Sequence, residues 1–213
     1  MGILIVVRTS TNMIWFTSDT HYGHERVVAA AQGMGLRCAT YKSVSEMDEG
    51  LLEACNKYVK PNDTLYHLGD LAFADPAAYR NRIRCKDIRF IIGNHDTAKT
   101  WDLFKYNWET RMIQIHGPEM QLMQVWLSHY PHMIWPASHY KSAHLYGHMH
   151  NMREAWFDEK FPERRSMDVG VDAIFARTGQ YRPISEYEVY DIMAGRKGHD
   201  DLEYYKSLNS QEG

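Results

Sequence analysis

Five times along this chain an apolar run ends in a cluster of charged, amide or imidazole side chains: IWFTSDTH, LYHLGD, IRFIIGNHD, VWLSHYP and AHLYGHMH. A run of this kind must be buried while its polar end emerges from the core. In open α/β sheets, ligands gather beyond the carboxyl ends of strands. Five such ends could therefore meet at one site, and this limits the fold more than any other feature of the sequence.

The rest of the chain fits that frame. Strands are expected at Ile3–Val7 and Ile14–Thr17, with a hairpin across Thr9–Asn12. Helices are expected at Glu25–Gly33 and at Ser43–Val59, where Ser43 and Glu46 have capping-box spacing and Met47, Leu51, Leu52 and Cys55 share a face. Thr64–Leu68 and Ile88–Ile92 read as strands and Pro76–Ile83 as a helix capped by Asp75. Short strands follow at Met112–Ile115, Gln121–Leu127, Ala143–Tyr146, Ala155–Phe157 and Met167–Val169, then a helix at Ser185–Met193. Helical crossovers early and strands later predict a layered α/β fold with mixed β-sheets flanked by helices. We expect one domain over 1–195 and a polar C-terminal tail over 196–213.

Composition excludes several classes. With 44% hydrophobic and 24% charged residues the 213-residue chain can fill a core. A net charge of −3 argues against general coating of nucleic acid, although phosphate recognition depends on where charge sits. No apolar run reaches the roughly 18–20 residues a bilayer span needs. Met1–Arg8 lacks a basic leader and a cleavage site, so it reads as a strand and not a signal peptide. Cys38, Cys55 and Cys85 form no CxxC pair, which suits a reducing, cytoplasmic setting and gives no thiolate zinc site.

The strand-end residues carry the chemistry. Asp19-x-His21 sets a carboxylate and an imidazole two positions apart, and in extended backbone both would project to one side. Gly69-Asp70 pairs a carboxylate with a residue that permits close backbone approach. Gly93-Asn94-His95-Asp96 crowds three ligand types together, and Gly147-His148-Met149-His150 alternates two imidazoles. With His129, the candidate ligands are two carboxylates, one amide and four imidazoles. A structural zinc closes with four ligands, usually rich in Cys. Seven ligands point to two ions, and the O/N mixture suits Mn²⁺, Fe, Zn²⁺, Co²⁺ or Ni²⁺ better than Mg²⁺.

The blocks D-x-H, G-D, G-N-H-[DE], a lone His and G-H-x-H occur in that order between Asp19 and His150. In this the chain resembles the calcineurin-like metallophosphoesterases, above all their small bacterial and phage members. The runs Asp168–Asp172 and Tyr181–Ser185 look like the closing strand of those members, extending the resemblance over roughly 13–193. The resemblance implies an αββα sandwich with the active site at the C-terminal ends of strands. It implies that Asp19, His21 and His150 hold one metal, that Asn94, His129 and His148 hold the other, and that Asp70 bridges them. It further implies hydrolysis of phosphate esters by a hydroxide bridging two divalent metals, Mn²⁺ foremost, with His95 as general acid at the leaving group. His24, in a D-x-H-x-x-H pattern, and Arg26 are candidate substrate contacts.

The run Gly69–Asp75 lacks the phosphate-gripping Arg of the related protein phosphatases, which write G-D-x-V-D-R-G. A monoester dianion needs that cation more than a diester monoanion does. The expected substrate is therefore a phosphodiester, a nucleotide or a nucleic-acid end, with no membrane partner. The alternatives are a broad phosphomonoesterase, or a protein-interaction module that keeps the fold with little catalysis. Trp101, Phe104, Tyr106 and Trp108 could stack on a base, but core packing is the commoner fate of such residues. His67, His116, His132, His139, His144 and His199 lie in no motif and read as surface or satisfied core residues.

Overall fold

Successive apolar residues in the first three strands point to opposite faces, so both faces of their sheet are buried. The computed structural model describes residues 12–29 and 37–196. Its elements are β1 (Ile14–Thr17), α1 (Arg37–Thr40), α2 (Val44–Tyr58), β2 (Thr64–His67), α3 (Pro76–Arg80), β3 (Asp87–Ile91), α4 (Ala98–Trp101), β4 (Tyr106–Trp108), β5 (Thr110–His116), β6 (Leu122–Ser128), β7 (Ala143–Tyr146), α5 (Glu154–Lys160), β8 (Ser166–Asp168), α6 (Val171–Thr178), β9 (Ile184–Ser185) and α7 (Glu186–Ala194). The first sheet runs β4-β3-β2-β1-β9, with β1 to β4 parallel and β9 antiparallel to β1. The second runs β5-β6-β7-β8, antiparallel between β5 and β6 and parallel after that.

Leu65, Ile88 and Phe90 face α2, where Met47, Leu51, Leu52 and Cys55 form the buried stripe. Full burial of each leucine contributes about 1.5–3 kcal/mol. Phe16, Tyr66, Leu68 and Ile91 face the other way, against Ile115, Val125, Leu127, Leu145 and Met167 of the second sheet. The result is two layered mixed sheets flanked by helices. Ser43 caps α2 by accepting from the Glu46 N–H at 3.1 Å. The Glu46 carboxylate accepts from Lys42 N, so only half of the expected box forms. Among the described residues no helix is long and apolar enough to cross a membrane.

Three element expectations need correction. Ala155–Phe157 belongs to helix α5, not to a strand. A three-residue apolar run has no resolvable period, and buried Glu154, ion-paired to Arg164 at 2.9 Å, pins this segment as a helix. Asp168–Asp172 is a strand end turning into α6, and the closing strand is β9. Of Glu25–Gly33 only a single 3₁₀ turn, Glu25–Val27, stands among the described residues. The strand expected at Ile3–Val7, the hairpin turn from Thr9 and the tail from 197 onward lie outside them. Arg196 is held to the second sheet's edge, donating to Arg164 O at 3.1 Å and Ser166 O at 2.8 Å.

Candidate metal centre

Pairing between β1 and β2 does not stop where the strands end. Asp19 N donates to Gly69 O at 3.0 Å, His21 N to Asp70 O at 3.1 Å and Tyr22 N to Leu71 O at 2.9 Å. The backbone is nevertheless far from extended there. Asp19, His21, Asp70, His148 and His150 all have left-handed φ, between 47° and 68°. Such conformations cost of order 1–3 kcal/mol each, least for Asp, Asn and His, and they cluster where a structure needs strained positions for function. Asp19 and His21 therefore converge through kinks and not through strand alternation, which corrects the sequence expectation. Gly69, at φ +99°, allows the third segment in: a Cβ there would lie 2.7 Å from Gly93 backbone and from His129 Nδ1.

These turns assemble two groups. Asp19, His21 and His150 form one, and Asp70, His129 and His148 the other; within each, one ligand atom per residue lies within 4.8 Å of the rest. Asp70 Oδ2 stands 3.7 Å from His21 Nε2 and 3.5 Å from His129 Nε2, so one carboxylate oxygen faces both groups. Asn94 Oδ1 lies 2.9 Å from His129 Nε2 and 2.9 Å from His148 Nδ1, adding an amide oxygen to the second group. In the first group the Nε2 atoms of His21 and His150 are 3.1 Å apart, with Asp19 Oδ1 at 3.8 and 3.9 Å from them.

The chemistry of this donor set fits two cations. Asp19 Oδ1 and His21 Nδ1 are buried without a hydrogen-bond partner among the described residues. An unsatisfied buried polar group costs about 1–3 kcal/mol, more when charged. The cleft also draws positive charge: burial disfavours the His129 imidazolium, yet Asp70 and Asp19 outweigh this and push it up to about 9. A cation held by oxygen and imidazole ligands would satisfy Asp19 Oδ1; in His21 it is Nε2, not Nδ1, that faces Asp19, Asp70 and His150.

Residues behind the ligands orient them. His150 Nδ1 lies 2.7 Å from Asp172 Oδ2, which leaves Nε2 for the centre. Arg37, fully buried, donates to both Asp172 oxygens at 2.8 and 2.7 Å, to Thr20 O at 2.9 Å and to Asp19 O. His129 Nδ1 is fixed by Leu68 O at 2.7 Å. The Asp96 carboxylate accepts from Asp70 N at 2.8 Å, Leu71 N at 3.1 Å and Gly93 N at 2.8 Å, tying two of the strand-end loops together. Sequence reasoning missed Arg37 and the role of Asp172, whose only local signal was the run that resembles a closing strand. Outer partners of metal-binding histidines typically change affinity about 10–100-fold. Asp172→Asn should accordingly weaken Mn²⁺ binding by that factor in a calorimetric titration; unchanged affinity would remove Asp172 from the site.

Asn94 and His95 are exposed at the mouth, and His95 N donates to Asp70 Oδ1 at 2.9 Å. The His95 ring stands 5.7 Å from that of His21. His24 is half-buried, and burial together with His21 and His95 pushes it down to about 4. Arg26 is exposed on the 3₁₀ turn. Two aromatic neighbours went unread in the sequence: Phe73 beside His21 and His95, and Tyr130, whose ring is 4.7 Å from that of His148. Of the aromatic cluster singled out in the sequence, Phe104 is buried, Trp101 and Trp108 pack partly buried against the two cores, and Tyr106 is exposed on β4. Phe104 stacks on Phe90 at 4.5 Å, and Tyr106 stacks on Trp108 along β4. His67 and His144 are buried core residues, bonded to Thr20 Oγ1 at 3.0 Å and Trp126 O at 3.1 Å.

No family model matches this chain. It is 26% identical over 180 residues to an uncharacterised protein of Methanocaldococcus jannaschii, covering 83% of this chain and 88% of that one. It is 26% identical over 208 residues to the gene 66 protein of Mycobacterium phage L5, covering 84% of this chain and 93% of the phage protein. A protein of unknown function from Aquifex aeolicus shares the fold, with a TM-score of 0.59 at 24% identity over 85% of this chain and 99% of that one.

Proposed function

We propose that this chain is a two-metal phosphoesterase of the calcineurin-like type that prefers phosphodiesters, with nucleotides or nucleic-acid ends as its substrates. The observation that carries this reading is the single Asp70 oxygen facing both ligand groups. Two bound cations, Mn²⁺ foremost, would polarise the phosphoryl group and activate water for in-line attack. Asp19, His21 and His150 would hold one cation and Asn94, His129 and His148 the other, with Asp70 shared between them. The exposed His95 imidazole would hold a proton for the leaving-group oxygen. A complete ligand set speaks for catalysis over a pure interaction module. Three cysteines, none of them in a disulfide, suit a reducing, cytoplasmic setting.

The diester preference rests on charge. Arg37 is buried and its donors are taken by Asp172 and backbone carbonyls, so it offers a phosphate nothing. Asp96 is likewise engaged with backbone N–H groups. A diester monoanion needs less cationic help than a monoester dianion. With saturating Mn²⁺, the phenyl diester of nitrophenyl phosphate should therefore show the higher kcat/KM of the matched pair. A preference above about tenfold for the monoester, or about 1.4 kcal/mol of transition-state free energy, would overturn the diester assignment.

A further inference from the structure

Phe73 keeps 45% of its surface open to water although it stands among three histidines of the site. Its ring lies parallel to that of His24, 3.7 Å away at 8°, so one face is covered. It is 4.8 Å from the His95 ring and 5.3 Å from the His21 ring. The backbone beneath it is held firmly. Phe73 N donates to Tyr22 O at 2.8 Å, and Ala72 bridges to Tyr22 beside the loop that carries His21. Gly23, at φ +73°, makes this approach feasible, since a Cβ there would lie 2.5 Å from that of Ala74. A fixed, half-exposed phenyl ring gives a phosphate group nothing to bind. It does offer an aromatic ring a preorganised surface to pack on.

We infer that Phe73 is a specificity-determining residue, a platform on which an aromatic ring carried by the ester's leaving group stacks while His95 faces the leaving oxygen. This rests on the phosphoesterase reading and adds to it the chemical class of leaving group: an aryl alcohol or a base-bearing nucleoside, in preference to a simple alkyl alcohol. His24 sets the plane of the ring and needs no contact with phosphate.

The test is calorimetric titration of the Mn²⁺-loaded full chain with phenylphosphonate and methylphosphonate, which differ by the ring alone. Stacking on one aromatic side chain should make the phenyl compound bind about tenfold tighter. Phe73→Ala should bring the two within about threefold of each other, Phe73→Trp should restore the preference, and Phe73→Leu should not. Metal content is measured on each variant. An undiminished phenyl preference in Phe73→Ala overturns the inference, as does full rescue by Leu, which would make volume and not the ring decisive. Hydrolysis of bis(4-nitrophenyl) phosphate, followed in parallel, separates the two levels. Ring-selective binding without hydrolysis overturns the phosphoesterase reading and leaves the platform standing, whereas hydrolysis with no ring selectivity does the reverse.

Discussion

Replacing His95 by Ala should lower turnover of the Mn²⁺-loaded protein by about 10²–10⁴, the usual span for a general acid–base group. Two metal ions per chain should remain bound. The structure makes this separation sharp, because the contact from residue 95 to Asp70 is a backbone N–H donated at 2.9 Å, which alanine retains. The imidazole itself is exposed at the mouth, adjacent to Asn94 but outside both ligand groups. Metal analysis beside steady-state kinetics decides the matter. A variant that lost both ions would mean that His95 is a ligand, and one that kept full turnover would remove it from the chemistry.

Asp70→Asn should act the other way, through the metals. The substitution preserves shape and leaves one oxygen to accept from His95 N. It removes the charge that stands 3.7 Å from His21 Nε2 and 3.5 Å from His129 Nε2. In either amide orientation the pair of groups loses a shared anionic ligand. Bound metal should fall from about two ions per chain to one or fewer, because a neutral amide is a poor bridge between two dications. Turnover should fall by at least about 10²–10³, the scale set by removing a single preorganised electrostatic stabiliser. Elemental analysis after Mn²⁺ loading reads the first effect and diester hydrolysis the second. Unchanged stoichiometry and affinity would leave the two groups as independent sites and end the bridging assignment.

Much of the fold was legible because its signals are local. The alternation that puts Leu65 and Phe90 toward α2 and Tyr66 and Ile91 toward the second sheet is a two-residue period, readable in any short window. Ser43 before α2 and Asp75 before α3 accept the capping bonds their residue types suggest. Helix α5 was misread for the converse reason. Its identity depends on Arg164 and on Tyr146, ten and eight residues from Glu154, and not on the apolar triplet itself.

The candidate site divides along the same line. Sequence by itself determined the kinds of donor at each strand end, since Asp19, His21, Asp70, Asn94, His129, His148 and His150 follow directly from apolar runs that must be buried. Tertiary structure alone decided that these ends meet. It also set the left-handed turns at Asp19, His21, Asp70, His148 and His150 that aim them. It brought Arg37 to Asp172 across 135 positions of chain, and so fixed the ring of His150. It buried Phe104 against Phe90 and left Phe73 exposed among the histidines of the site. The physical reason is one of range. Burial and ligand type are properties of a residue and its near neighbours, whereas convergence, ring orientation and cleft exposure depend on which distant segments pack together, and no local pattern encodes that.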